Sequence, residues 1–86
     1  MSKDYYPMQI ELLGALSVFR DAGQPCSSAV LVEWMDSPEW YLNRVTTALK
    51  RFERYGWVKR YSGSRPKVVR VTNRGLNRLH WLKIQD

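Results

Sequence analysis

Positions 43–54 read N-R-V-T-T-A-L-K-R-F-E-R. Asn can bind adenine by two hydrogen bonds and Arg can bind guanine likewise. Thr can bond a base edge or touch a thymine methyl. Asn43, Arg44, Thr46 and Thr47 therefore have the chemistry to read base pairs, and Lys50, Arg51 and Arg54 suit phosphates. A second group lies between Trp57 and Thr72, where Lys59, Arg60, Arg65, Lys67 and Arg70 occur with no acid among them. Cations spaced this way along two β-rich runs suit a polyanion.

Both groups need a scaffold. At 100° per residue, Leu42, Val45, Leu49 and Phe52 fall on one side of a helix. The other side collects Trp40, Asn43, Thr47, Lys50, Arg51 and Arg54, with Arg44 and Thr46 on the flanks. Glu53 is expected near the buried side, pairing locally, which leaves the outer face without an acid after Glu39. An ordinary solvated face is also rich in Lys and Arg, but it usually interleaves Glu. Such a helix fits the major groove of duplex DNA. The hairpin beside it would lie over the neighbouring minor groove, whose negative potential attracts Arg. Arg65, at the expected tip, is the residue for insertion; Lys59, Arg60 and Lys67 would sit nearer the phosphates. A charged hairpin also resists edge-to-edge pairing, so the hairpin alone decides little.

Charge is divided along the chain. Residues 1–43 carry two bases against six acids, net −4; residues 44–86 carry twelve bases against two acids, net +10. That division points to a polyanionic partner for the C-terminal half.

The rest of the chain predicts a mostly helical α+β domain spanning residues 1–86. A first helix is expected from Pro7 to Asp21, with Leu12, Leu13, Leu16 and Phe19 recurring at helical spacing. Ser27 or Ser28 can cap a short second helix with Val30, Leu31, Trp34 and Met35 as its apolar face, ending near Asp36. Ser37-Pro38-Glu39 reads as the start of the third helix, with Tyr41 as a later alternative; Gly56 ends it. Strands follow at Trp57–Tyr61 and Lys67–Thr72 around the turn residues Ser62-Gly63-Ser64. Thr72 or Asn73 then caps a last helix holding Leu76, Leu79, Leu82 and Ile84. On the outer side of the third helix Trp40 is the exception among four core tryptophans, unless that helix begins later and the ring tucks under the turn.

A short helix, a tight turn, a longer helix and a hairpin form the layout of a helix-turn-helix with a β-wing. The run from Ala48 to Arg60, ALKRFERYGWVKR, resembles the end of the recognition helix and the first wing strand of MarR- and PadR-type winged-helix regulators. Val69-Arg70-Val71-Thr72-Asn73-Arg74-Gly75 resembles the second wing strand entering the last helix, with a Thr-x-x-Gly. The resemblance covers roughly Ile10 to Leu82. It implies a winged helix-turn-helix fold of three helices, a two-stranded β-wing and a C-terminal helix. It implies a homodimeric, sequence-specific transcriptional regulator of double-stranded DNA, often a repressor, paired through the C-terminal helix and helix 1; a cytoplasmic location is expected instead from the lack of a membrane-length apolar run and of a signal-peptide core, and from the single cysteine. Leu76, Leu79, Trp81, Leu82 and Ile84 spread wider than one stripe, as two partners for that helix would require. The chain lacks the long dimerisation extension of larger members and has little room for a small-molecule ligand.

Other chemistry finds few residues. One histidine, His80, and one cysteine, Cys26, argue against a metal site, a cofactor or an enzyme; Cys26 reads as a small buried hydrophobe. No apolar run is long enough for a membrane span. A winged-helix protein-interaction module, whose acidic half meets a basic partner, and an RNA- or replication-associated binder remain as alternatives.

Overall fold

A computed structural model of the chain describes residues 5–61 and 68–85. Helix α1 spans Tyr6–Asp21 and carries Pro7 in its first turn, where a missing N–H leaves no bond unmade. Leu12, Leu13, Ala15 and Leu16 are buried along it. Helix α2 spans Ser28–Met35, and the Ser27 side chain caps it by accepting from the Val30 N–H. It ends at Asp36, whose φ of 44° turns the chain sharply, a conformation Asp tolerates better than most residues.

The third helix begins later than Ser37. Ser37-Pro38-Glu39 forms a separate turn, in which the Ser37 hydroxyl accepts from the Glu39 N–H and the Ser37 carbonyl from the Trp40 N–H. Helix α3 spans Leu42–Tyr55, with extended Tyr41 (φ −95°, ψ 164°) ahead of it. The cause is Trp40, which is 3% exposed in the core and not on the outer side of a helix. Val45, Ala48, Leu49 and Phe52 are the buried residues of α3. Leu42, expected in that stripe, is instead exposed, as is Trp34 on α2. Gly56 closes α3 with φ 80°.

Strands β1 (Val58–Tyr61) and β2 (Val68–Val71) form an antiparallel hairpin, with Val58 opposite Val71 and Arg60 opposite Val69. Each described strand is shorter than expected, and Lys67 lies outside the described residues. Trp57 and Thr72 are bonded across the hairpin's base, the Thr72 N–H donating to the Trp57 carbonyl at 2.9 Å. Alternation then leaves Val69 at a position that makes no bond to β1. Its N–H points outward and donates to the Cys26 carbonyl at 2.8 Å, tying the connector between α1 and α2 to the hairpin.

Helix α4 spans Asn73–Ile84. The Thr72 hydroxyl accepts from the Gly75 N–H at 3.1 Å and donates to the Gly56 carbonyl at 2.6 Å, so one side chain joins the end of α3 to the start of α4. Leu79 and Leu82 pack into the core, whereas Ile84 is exposed. Arg78 holds α4 to α1. Its guanidinium donates to Gln9 Oε1 and lies over the rings of Tyr6, Trp57 and Trp81. The described chain is thus α+β and mostly helical, with four helices and one two-stranded antiparallel sheet. No helix among the described residues is long and apolar enough to cross a membrane.

Candidate nucleic-acid interface

Burial of Val45, Ala48, Leu49 and Phe52 fixes which side of α3 faces out. Asn43, Thr47, Lys50 and Arg54 cluster opposite that side, with Arg51 beside them, and all five are exposed. Thr46 is half-buried on one flank. Glu53 is exposed and makes no ion pair among the described residues, contrary to the expected local pairing. It lies about a quarter turn from the centre of the basic face, on the flank with Leu42.

Arg44 stands differently from the other candidates. It is half-buried. Its Nη1 donates to the Glu39 carbonyl at 2.7 Å, its Nη2 approaches Met8 Sδ at 3.6 Å, and its guanidinium carbon lies 4.7 Å from the Trp40 ring centre. Trp40 is itself held by Glu11, whose carboxylate accepts from the indole N–H. The guanidinium is therefore engaged with the turn before α3, and contact with a base would require giving up those interactions.

Beside the basic face a cleft of about 340 Å³ runs between the start of α1 and α3, lined by Tyr5, Tyr41, Asn43, Thr47 and Arg51 among others. Tyr5 and Tyr41 are both exposed. They add aromatic edges to a basic surface, and the sequence candidates did not include them.

The hairpin separates its cations. Lys59 and Arg60 are consecutive, so they project from opposite faces. Arg60 is half-buried on the core side and lines a cleft with Ser28 and Leu42, beside the start of α3. Lys59 is exposed on the outer face, directly opposite Arg70. Like charges at such a position destabilise a sheet. Tyr61 offsets part of that repulsion, its ring centre 5.4 Å from Lys59 Nζ and 5.9 Å from the Arg70 guanidinium carbon. Arg70 was counted among the hairpin's cations but given no contact, and Tyr61 was missing from the sequence candidates. Alternation alone puts Lys59 and Tyr61 on one face, but only the register adds Arg70. Arg65 and Lys67 lie outside the described residues.

No protein-family model matches this chain, and comparison with curated proteins and with solved structures found no match.

The remaining reactive groups are dispersed. Cys26 is buried, and burial pushes its thiol up to about 11, so it stays protonated at neutral pH. His80 is exposed on α4. Among the described residues no three His, Cys, Asp or Glu side chains gather as metal ligands.

Proposed function

We propose that this chain is a winged-helix protein that binds double-stranded DNA sequence-specifically as a transcriptional regulator of the repressor kind. The observation that carries the reading is the outer face of α3, where Asn43, Thr47, Lys50, Arg51 and Arg54 stand exposed around a centre that holds no acid. A helix of this kind fits the major groove. The order α2, turn, α3, hairpin, α4 supports a winged helix, and so does the bond from the Val69 N–H to the Cys26 carbonyl, which ties the α1–α2 connector to the hairpin. In this reading Asn43 and Thr47 meet base edges, Lys50, Arg51 and Arg54 meet phosphates, and the hairpin lies over the adjacent minor groove. Two copies pair through Trp81 and Ile84 of α4 and the first turn of α1, since Trp81 and Ile84 stay exposed in one copy and Trp81 packs edge-on against Tyr6.

A selection from a random duplex DNA pool, with affinity measured against salt, tests this. The expected result is an enriched inverted repeat whose affinity falls with salt as several phosphate contacts require. Binding without enrichment removes sequence-specific regulation, and no binding at low salt removes DNA as the partner.

A further inference from the structure

The reading of α3 leaves two exposed aromatic side chains without a role. Tyr5 stands just before α1 and Tyr41 just before α3. Both line the cleft of about 340 Å³ between those helices. Among the described residues neither hydroxyl has a hydrogen-bond partner. Asn43, Thr47 and Arg51 line the same cleft. They recur every four residues, so they form one row along α3. Tyr6, next in the chain after Tyr5, packs edge-on against Trp81 of α4 instead. The side of α1 that meets the cleft is therefore not the side proposed to pair two copies.

The lining itself selects the occupant. None of the residues lining the cleft is acidic. Arg51 is exposed there, and Arg44 keeps its charge beside it while its nitrogens are engaged with Glu39 and Met8. Hydroxyls, guanidinium groups and an amide all donate hydrogen bonds. Phosphate oxygens accept them and carry negative charge, and Tyr, Thr, Asn and Arg are among the residues that bind them. The row of α3 that walls the cleft is the row read above as entering the major groove. The strand bordering that groove on the α1 side therefore runs alongside the cleft. We propose that Tyr5 and Tyr41 bind phosphates of this strand through their hydroxyls, with Arg51 neutralising the same stretch of backbone. This contact rests on the duplex-DNA reading of α3 and extends the interface to α1. It fixes how α3 sits in the groove and carries no sequence information of its own.

The test compares Tyr5→Phe, Tyr41→Phe, the double variant and Arg51→Ala on a duplex that the wild type binds, at several salt concentrations. Each Phe variant keeps its ring and should keep the wild-type Tm. Each is expected to bind about threefold more weakly, and the double variant about tenfold, with the same loss on single-base variants of the duplex. A hydroxyl releases no counterion, so the salt slope of all three should match the wild type, whereas Arg51→Ala should lower it by about 1. Unchanged affinity in the double Phe variant overturns the contact and leaves the DNA reading standing. A base preference altered by either Phe variant also overturns it, because the hydroxyl then reads a base edge. So does tighter binding of the wild type to a single strand than to the duplex, because the rings then stack on bases. Failure of the wild type to bind duplex DNA at low salt removes both this contact and the reading it rests on.

Discussion

Trp40 and Glu11 lie 29 positions apart and are joined by a hydrogen bond from the indole N–H to the carboxylate. That bond anchors the turn before α3 to α1, and the buried ring carries Arg44 above it. The start of the proposed recognition helix is therefore set by a contact with a helix far away in the chain. Trp40→Phe keeps most of the packing and removes the donor. Glu11 is exposed and can rehydrate, so the expected loss is about 1 kcal/mol. Trp40→Ala removes the platform as well and should cost roughly 3–5 kcal/mol. Denaturant unfolding of the two variants checks both values.

Asn43 and Lys50 stand close together on the outer face of α3 and should fail differently. Asn43→Ala is expected to lose about 1–3 kcal/mol of discrimination at one base pair of the selected site. Lys50→Ala should weaken all sequences alike and reduce the salt slope by about 1. Titrations against the selected site and its single-base variants, at several salt concentrations, separate the two.

Arg44→Lys offers a contrast with Asn43. Lys cannot bond the Glu39 carbonyl and cover the Trp40 ring with a flat guanidinium as Arg44 does. A fall in stability of about 1 kcal/mol, with base preference unchanged, is expected from the observed contacts. A changed preference at one base pair would instead show that Arg44 leaves the turn on binding.

Gly75 has no room for a side chain. A Cβ there would lie 2.8 Å from Val71 Cγ2 and closer still to the Trp57 carbonyl oxygen. Gly75→Ala must push α4 away from the base of the hairpin, at a cost of about 1–3 kcal/mol or more. The melting temperature should fall although Ala is the better helix former.

Cys26 gives the fold a pH dependence at the alkaline end. Its folded thiol is raised from 9.0 to about 11 by burial. The folded state then holds its proton where the unfolded chain releases it, so stability is complete below pH 9 and declines as pH rises towards 11. The slope is on the order of 1 kcal/mol per pH unit in that window. Unfolding free energies between pH 8 and 11 should show it in the wild type and lose it in Cys26→Ala.

Much of the architecture was legible because its signals are local. Pro7 opens α1, the Ser27 hydroxyl caps α2, Gly56 turns the chain out of α3 with φ 80°, and Thr72 caps α4. Each acts within a few residues, so type and spacing suffice. The period of Val45, Leu49 and Phe52 also fixed the outer face of α3, and with it the exposed Asn43, Thr47, Lys50, Arg51 and Arg54. Tertiary structure decided what local chemistry left open. Ser37-Pro38-Glu39 suits a helix start, but burying Trp40 against α1 outweighs one cap and moves the start to Leu42. Trp34 and Leu42 sit at apolar positions of their helices and still face out, because no neighbouring element among the described residues covers them. The engagement of Arg44 by Trp40, Glu39 and Met8, and the pairing of Lys59 with Arg70, depend on distances between segments that period and propensity do not encode.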